Sequence, residues 1–229
     1  MRFATIATVA GTLALGACGS PEPEPAPSPT PTVAAPRTLV GADLDLSTLG
    51  ARIVGPQGPE VETVLSAGNR QIGTLVSYVA CPDGVDECKP GEMPEGTVYT
   101  YVHRVTLAEE DDAEEPATGP EVVEAPPTLF RTTRQAAGFN QSIGYVTAEA
   151  EAVLGDPDAI SISNDNGSLI WRVVRGPGWT PGGTVTFWWQ STLPPKGPAE
   201  AYLVEVDGNQ VSALAPFPPE DKPVEGSRN

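Results

Sequence analysis

The sequence predicts an all-β protein, an antiparallel β-sandwich with one short helix, preceded by a signal peptide and a disordered Pro-rich linker. Three observations carry this. Short runs rich in β-branched and aromatic residues recur through the middle of the chain, and several alternate apolar and polar side chains with period two. Turns made of Asn, Asp and Gly separate some of them, as tight hairpins require. One stretch alone, around residues 147–155, stands out as a helix candidate.

The amino-terminal segment comes first. Met1 and Arg2 are followed by residues 3–15, FATIATVAGTLAL, an apolar run of signal-peptide length. It is shorter than the roughly 20 residues a membrane-spanning helix needs. Leu15, Gly16, Ala17 and Cys18 come next. A peptidase working at a membrane surface needs small side chains beside the bond it cuts, and a thiol at the next position can accept diacylglycerol. This pattern resembles the lipobox of bacterial lipoproteins. The resemblance implies that residues 1–17 are removed and that Cys18 becomes a lipidated, acylated amino terminus. One acyl chain binds a bilayer with K of only about 10⁴ M⁻¹, so two or three chains make such attachment lasting. Gly19 follows the Cys where Asp would mark inner-membrane retention in enteric bacteria, so the expected location is the outer membrane of a bacterial cell envelope. The alternative is an ordinary secretory signal with an incidental Cys.

Residues 20–36, SPEPEPAPSPTPTVAAP, place Pro at every second position from Pro21 to Pro31. Pro supplies no backbone donor and fixes φ, so this stretch is an extended spacer of roughly 50 Å rather than helix or sheet. Residues 18–37 therefore read as a lipidated stalk, 38–215 as the folded domain, and 216–229, PFPPEDKPVEGSRN, as a flexible tail. With 13 basic and 30 acidic residues the net charge is −17. Nucleic acid and anionic lipid surfaces would repel such a chain and are excluded as partners, the membrane being reached only through lipid on Cys18.

Within the domain the strand signals are residues 75–81, 98–107, 159–163, 169–174, 184–191 and 201–206, with a short return at 210–214 and weaker runs at 43–49 and 51–55. Eight to ten strands are expected. In residues 184–191 Val185, Phe187 and Trp189 share one face, while Thr184, Thr186, Trp188 and Gln190 share the other, which places Trp188 on the wetter side. The turns Asn164–Gly167 and Asp207–Asn209 suit hairpins. Thr147 is the expected N-cap of the helix, Glu149 and Glu151 suit the positive end of its dipole, and Gly155 suits its left-handed end. A helix of two turns needs packing to survive.

Cys81 and Cys88 flank PDGVDE just past a strand, in a chain addressed to an oxidising compartment, and are expected to be disulfide-bonded. A metal site needs more ligands than these and the single histidine, His103, can offer, so neither metal nor cofactor is expected. The acidic loop near residues 108–127 opens with six acids among residues 109–115. It reads as a solvated loop, with weak calcium binding as the alternative.

Nucleophile elbow, phosphate-binding loop, HExxH and dinucleotide fingerprints do not occur. His103 shares its strand face with Tyr101 and Val105, as a core histidine would. Trp179, in the loop GPGWTPGG, and Trp188 are the candidate ligand-binding residues, because sugars stack on exposed aromatic faces. Trp179 could equally plug the end of the sandwich. The expected function is a non-catalytic, lipid-anchored envelope protein whose β domain binds or scaffolds an envelope glycan or protein. The alternatives are a glycan-binding module and a hydrolase working with two carboxylates.

Overall fold

Eleven strands and one α-helix fold into two antiparallel sheets in the computed structural model, which describes residues 35–109 and 128–220. The five-stranded sheet is built from β2 (Val61–Ala67), β3 (Arg70–Ala80), β4 (Tyr99–Leu107), β6 (Phe139–Tyr145) and β9 (Thr184–Ser191), in the order β2-β3-β4-β9-β6. The six-stranded sheet contains β1 (Arg37–Leu39), β5 (Leu129–Thr132), β7 (Ile160–Asp165), β8 (Ser168–Val173), β10 (Gly197–Val206) and β11 (Asn209–Phe217), in the order β1-β7-β8-β5-β10-β11. The all-β sandwich with one short helix is thus the fold.

The hairpin turns obey the chemistry expected of them. Asn166 and Gly167, at φ 49° and 87°, join β7 to β8, and Asp207 and Gly208, at 49° and 75°, join β10 to β11. Two-residue turns with both φ values positive match the right-handed twist of the strands they connect. The strand after Asp207-Gly208 is longer than the expected 210–214. It runs to Phe217, and Pro216 and Phe217 are buried, so the folded domain extends past residue 215. β11 lies at the edge of its sheet, where a proline's missing donor costs no ladder bond.

The runs 43–49 and 51–55 are not strands. Asp45 accepts hydrogen bonds from the Ser47 backbone and hydroxyl, and this local cap winds Leu46–Thr48 into a single 3-10 turn. Residues 52 and 53 make only isolated bridges.

Helix α1 spans Thr147–Leu154 and stops at Gly155 in the left-handed conformation (φ 75°), as expected. Thr147 is its first residue rather than its cap. Val146 holds the cap position without a side-chain bond, and the Thr147 N–H donates instead to Asp43 Oδ1 at 3.0 Å. Glu149 accepts from the Thr186 N–H at 2.7 Å, where β6 has ended and β9 would otherwise lack a partner.

Aromatic rings fill the space between the sheets. Phe130 lies 5.0 to 5.6 Å, centroid to centroid, from Trp171, Phe187 and Tyr202, and Tyr101 stacks on Trp189 at 4.4 Å. The Trp171 indole N–H crosses from β8 to donate to the Gly144 carbonyl of β6 at 2.9 Å, so the ring's polar atom is satisfied inside the core. On the other flank Thr63 donates to the Leu214 carbonyl at 2.8 Å and ties the edges β2 and β11 together.

Candidate functional site

His103 sits between the sheets and is 0% exposed. The Trp189 indole N–H donates to Nε2 at 3.2 Å, so Nε2 is an acceptor and the ring proton lies on Nδ1, 2.9 Å from Ser77 Oγ. Tyr202 and Phe130 cover the ring at 4.3 and 5.4 Å. Burial pulls the pKa down from 6.5 to about 3, so the imidazole is neutral. It is a bonded core residue with no face open to a substrate.

Cys81 and Cys88 are bonded, with Cα atoms 5.7 Å apart, and both are buried. The loop they close holds the chain that runs from β1 into β2. Ala51 donates to the Val85 carbonyl inside that loop at 2.7 Å, Gly50 donates to the Cys81 carbonyl, and Cys81 donates back to Ala51, both at 3.0 Å. Ile53 bridges Cys88 and donates to Val79 at 2.9 Å.

Residues 40–53 form a strap whose opposite end is fixed at β6. Ala42 donates to the Ile143 carbonyl at 2.9 Å and accepts from Tyr145 at 3.3 Å, a parallel bridge opposite Gly144. A Cβ on Gly144 would lie 1.8 Å from the Ala42 carbonyl oxygen, so only glycine allows this approach. Farther along, Leu46 and Leu49 rest on Tyr78, Ala80 and Val102.

Strand register fixes what lies beneath. Gly144, Trp188, Val102 and Tyr78 form one row across β6, β9, β4 and β3. The strap is bonded beside Gly144 and lands on Val102 and Tyr78, so it crosses above Trp188. Trp188 does point outward from the sandwich, but it is only 4% exposed, which corrects its expected wet position. Trp188 Nε1 and, one step along the same face, Thr186 Oγ1 are buried without a hydrogen-bond partner.

Around the strap the outer face is polar, with charges of both signs. The Arg52 guanidinium stacks over the Tyr78 ring at 3.8 Å and bonds to Glu60. Burial raises the Tyr78 pKa, and the charges of Arg52 and Arg104 oppose the rise. In the next row Asn140 donates to Gln190 at 3.3 Å, and Gln190 donates to Thr100 at 3.1 Å. The guanidinium groups and side-chain amides beside the covered aromatic strip supply hydrogen-bond donors at the surface, and this face is the candidate site.

Trp179 is half-buried. Its indole N–H donates to Gly183 of its own loop at 3.0 Å, and its ring packs 6.1 Å from Phe187 at the sandwich end. It closes the core as a plug does. Asp43 and Glu149 hold backbone amides rather than facing each other across a cleft. Among the described residues no group of three or more His, Cys, Asp or Glu could hold a metal ion. A shallow open depression, lined by Ala67, Asn69, Arg70, Gln71, Ala108 and Glu109, lies where β4 ends. Cys18, residues 19–34 of the expected stalk and the acidic run beyond Glu109 lie outside the described residues, while Arg37, expected at the stalk's end, already pairs with Asn164 as the first residue of β1. No helix of the described residues is long and apolar enough to cross a membrane.

The strap has no local signature in the sequence because its bonds join residues far apart in the chain: Asp43 and Thr147 are 104 positions apart. Comparison with known proteins finds no matching family model, curated protein or solved structure.

Proposed function

We propose that this chain is a lipid-anchored protein of the bacterial cell envelope whose β-sandwich binds or scaffolds an envelope partner at the outer membrane. The observation that carries the reading is the run Leu15-Gly16-Ala17-Cys18 directly behind an apolar segment too short to span a bilayer. The Pro-rich spacer supports it, since a stalk of roughly 50 Å holds a domain clear of the headgroups. Binding rather than chemistry suits the residues present: the single histidine is neutral and enclosed, while Arg52, Arg104 and the Asn140–Gln190 pair offer recognition groups on an outer face.

The test is fractionation of cells making the natural chain and Cys18→Ser. The natural protein is expected in the membrane fraction and labelled by a fatty-acid analogue. The variant is expected unlabelled and unprocessed. Equal labelling and equal processing of the two would overturn the proposal. Cross-linking the intact lipoprotein in envelopes then identifies the partner.

A further inference from the structure

We infer that the strap of residues 40–53 is a releasable cover over the outer face of the five-stranded sheet, and that the Cys81–Cys88 disulfide is its latch. The inference goes beyond envelope anchoring and does not depend on it.

Upstream of Arg52 the strap's own burial is slight, whereas Ile53 at its downstream end is 2% exposed and belongs to the core. The 3-10 turn at its centre buries no residue, and Val40 and Val54 near its ends are 93% and 83% exposed. Its fastenings are few and sit at its two ends. Upstream it is held by the Ala42 bridge to β6 and by Asp43 at the start of α1. Downstream, the hold is the Ala51 bond to Val85, the Ile53 bridge to Cys88 and the paired bonds to Cys81, and beyond the loop Arg52 and Ile53 pair with Ala80 and Val79 of β3. Of the downstream partners, Cys81, Val85 and Cys88 all belong to the eight-residue loop that the disulfide closes. The bridge therefore keeps three acceptor or contact positions in register for one short stretch of strap.

The covered surface is not at rest with its cover. Trp188 Nε1 is buried without a hydrogen-bond partner beside the strap, as is Thr186 Oγ1 where β9 meets α1, and buried polar groups without partners favour any state that hydrates them. The remainder of the domain does not need the strap, because β3, β4 and β9 are paired to one another and packed on the aromatic core from the other side. Opening is thus a local event drawn from the least secured part of the fold.

A small dithiol or a dithiol protein supplies the chemistry. Both cysteines are buried, so its thiolate attacks one cysteine sulfur only during local opening of the loop; the S–S bond then breaks to a mixed disulfide, and its second thiol releases the protein. The protein gains two electrons and two protons as two thiols, and the reductant leaves as a disulfide. With the bridge gone, the loop loses its register, the strap lifts upstream of Arg52 while Ile53 stays paired to β3, and the row Trp188, Val102 and Tyr78 meets solvent.

Amide hydrogen exchange on the full chain, oxidised and after reduction with dithiothreitol, reads this directly. The amides of Gly50 and Ala51 are expected to exchange at least tenfold faster after reduction, with the amide of Ile53, bonded to Val79, and those of β3, β4 and β9 unchanged. Cys81→Ser with Cys88→Ser is expected to match the reduced protein. Ala51→Pro, which deletes the donor to Val85 and keeps the disulfide, is expected to free the strap without any reductant. Unchanged strap exchange in the reduced protein would overturn the inference, as would protection that is lost from strap and sheet together. Full strap protection in Ala51→Pro would show that the loop does not act through that bond and would overturn it as well.

Discussion

His103 shows how one side chain can set the acid limit of the fold. Its native pKa of about 3 lies below the unfolded value of 6.5, so between those limits the unfolded chain binds a proton that the native one refuses. Stability is then complete above pH 6.5 and falls as pH drops, with a slope of about 1.4 kcal/mol per pH unit. The chain has no second histidine, so the slope between pH 5 and 6.5, above the carboxylate range, belongs to this ring. Denaturant melts across that range are expected to show it, and His103→Gln is expected to flatten it; an equal slope in both proteins would contradict the assignment. Trp179 offers a second test at this scale. As a half-buried plug bonded to Gly183, its truncation to Ala is expected to cost roughly 2–3 kcal/mol, less than the 3–5 of a fully buried ring. The thermal midpoint should fall by roughly 5–10 °C. A midpoint that does not move would restore Trp179 as an exposed binding ring.

Elements were legible in proportion to how locally they are specified. Residues 184–191 announce a strand by strict alternation, and β9 occupies those positions with Val185, Phe187 and Trp189 facing the core. β6 was hidden because FNQSIGY carries a bulge, with Gln141 at φ 77°, and a glycine that serves a neighbour's carbonyl rather than a pleat. β1 and β5, with three and four residues, are too short to display a period. The weak runs at 43–49 and 51–55 resemble strands in composition, but Asp45 turns the backbone and the fastenings come from distant loops. Trp188 follows the same logic: its direction was readable from alternation, its burial was not, because the covering segment lies more than a hundred residues earlier. Gly144→Ala tests the upstream fastening. The added methyl would meet the Ala42 oxygen, and a loss of roughly 1–3 kcal/mol is expected. Asp43→Ala, which leaves the Thr147 N–H uncapped, is expected to cost about 1 kcal/mol and to speed amide exchange in the first turn of α1. A wild-type exchange rate there would contradict the capping role.

At the scale of the whole molecule, sequence and structure divide the work. The sandwich, its disulfide and its core histidine all have visible structural causes: alternating strands, two cysteines flanking a turn, one imidazole among aromatic rings. The candidate face does not, since it is assembled from β3, β4, β6, β9 and a strap that touches them at both ends. The proposed anchoring has the opposite character and rests on four consecutive residues. Its most direct test is intact mass spectrometry of the amino-terminal peptide from protein purified out of membranes. The expected peptide begins at Cys18 and carries diacylglycerol on its sulfur with an acylated amino group. A peptide that begins at another residue, or at Cys18 with a free thiol, would contradict the account.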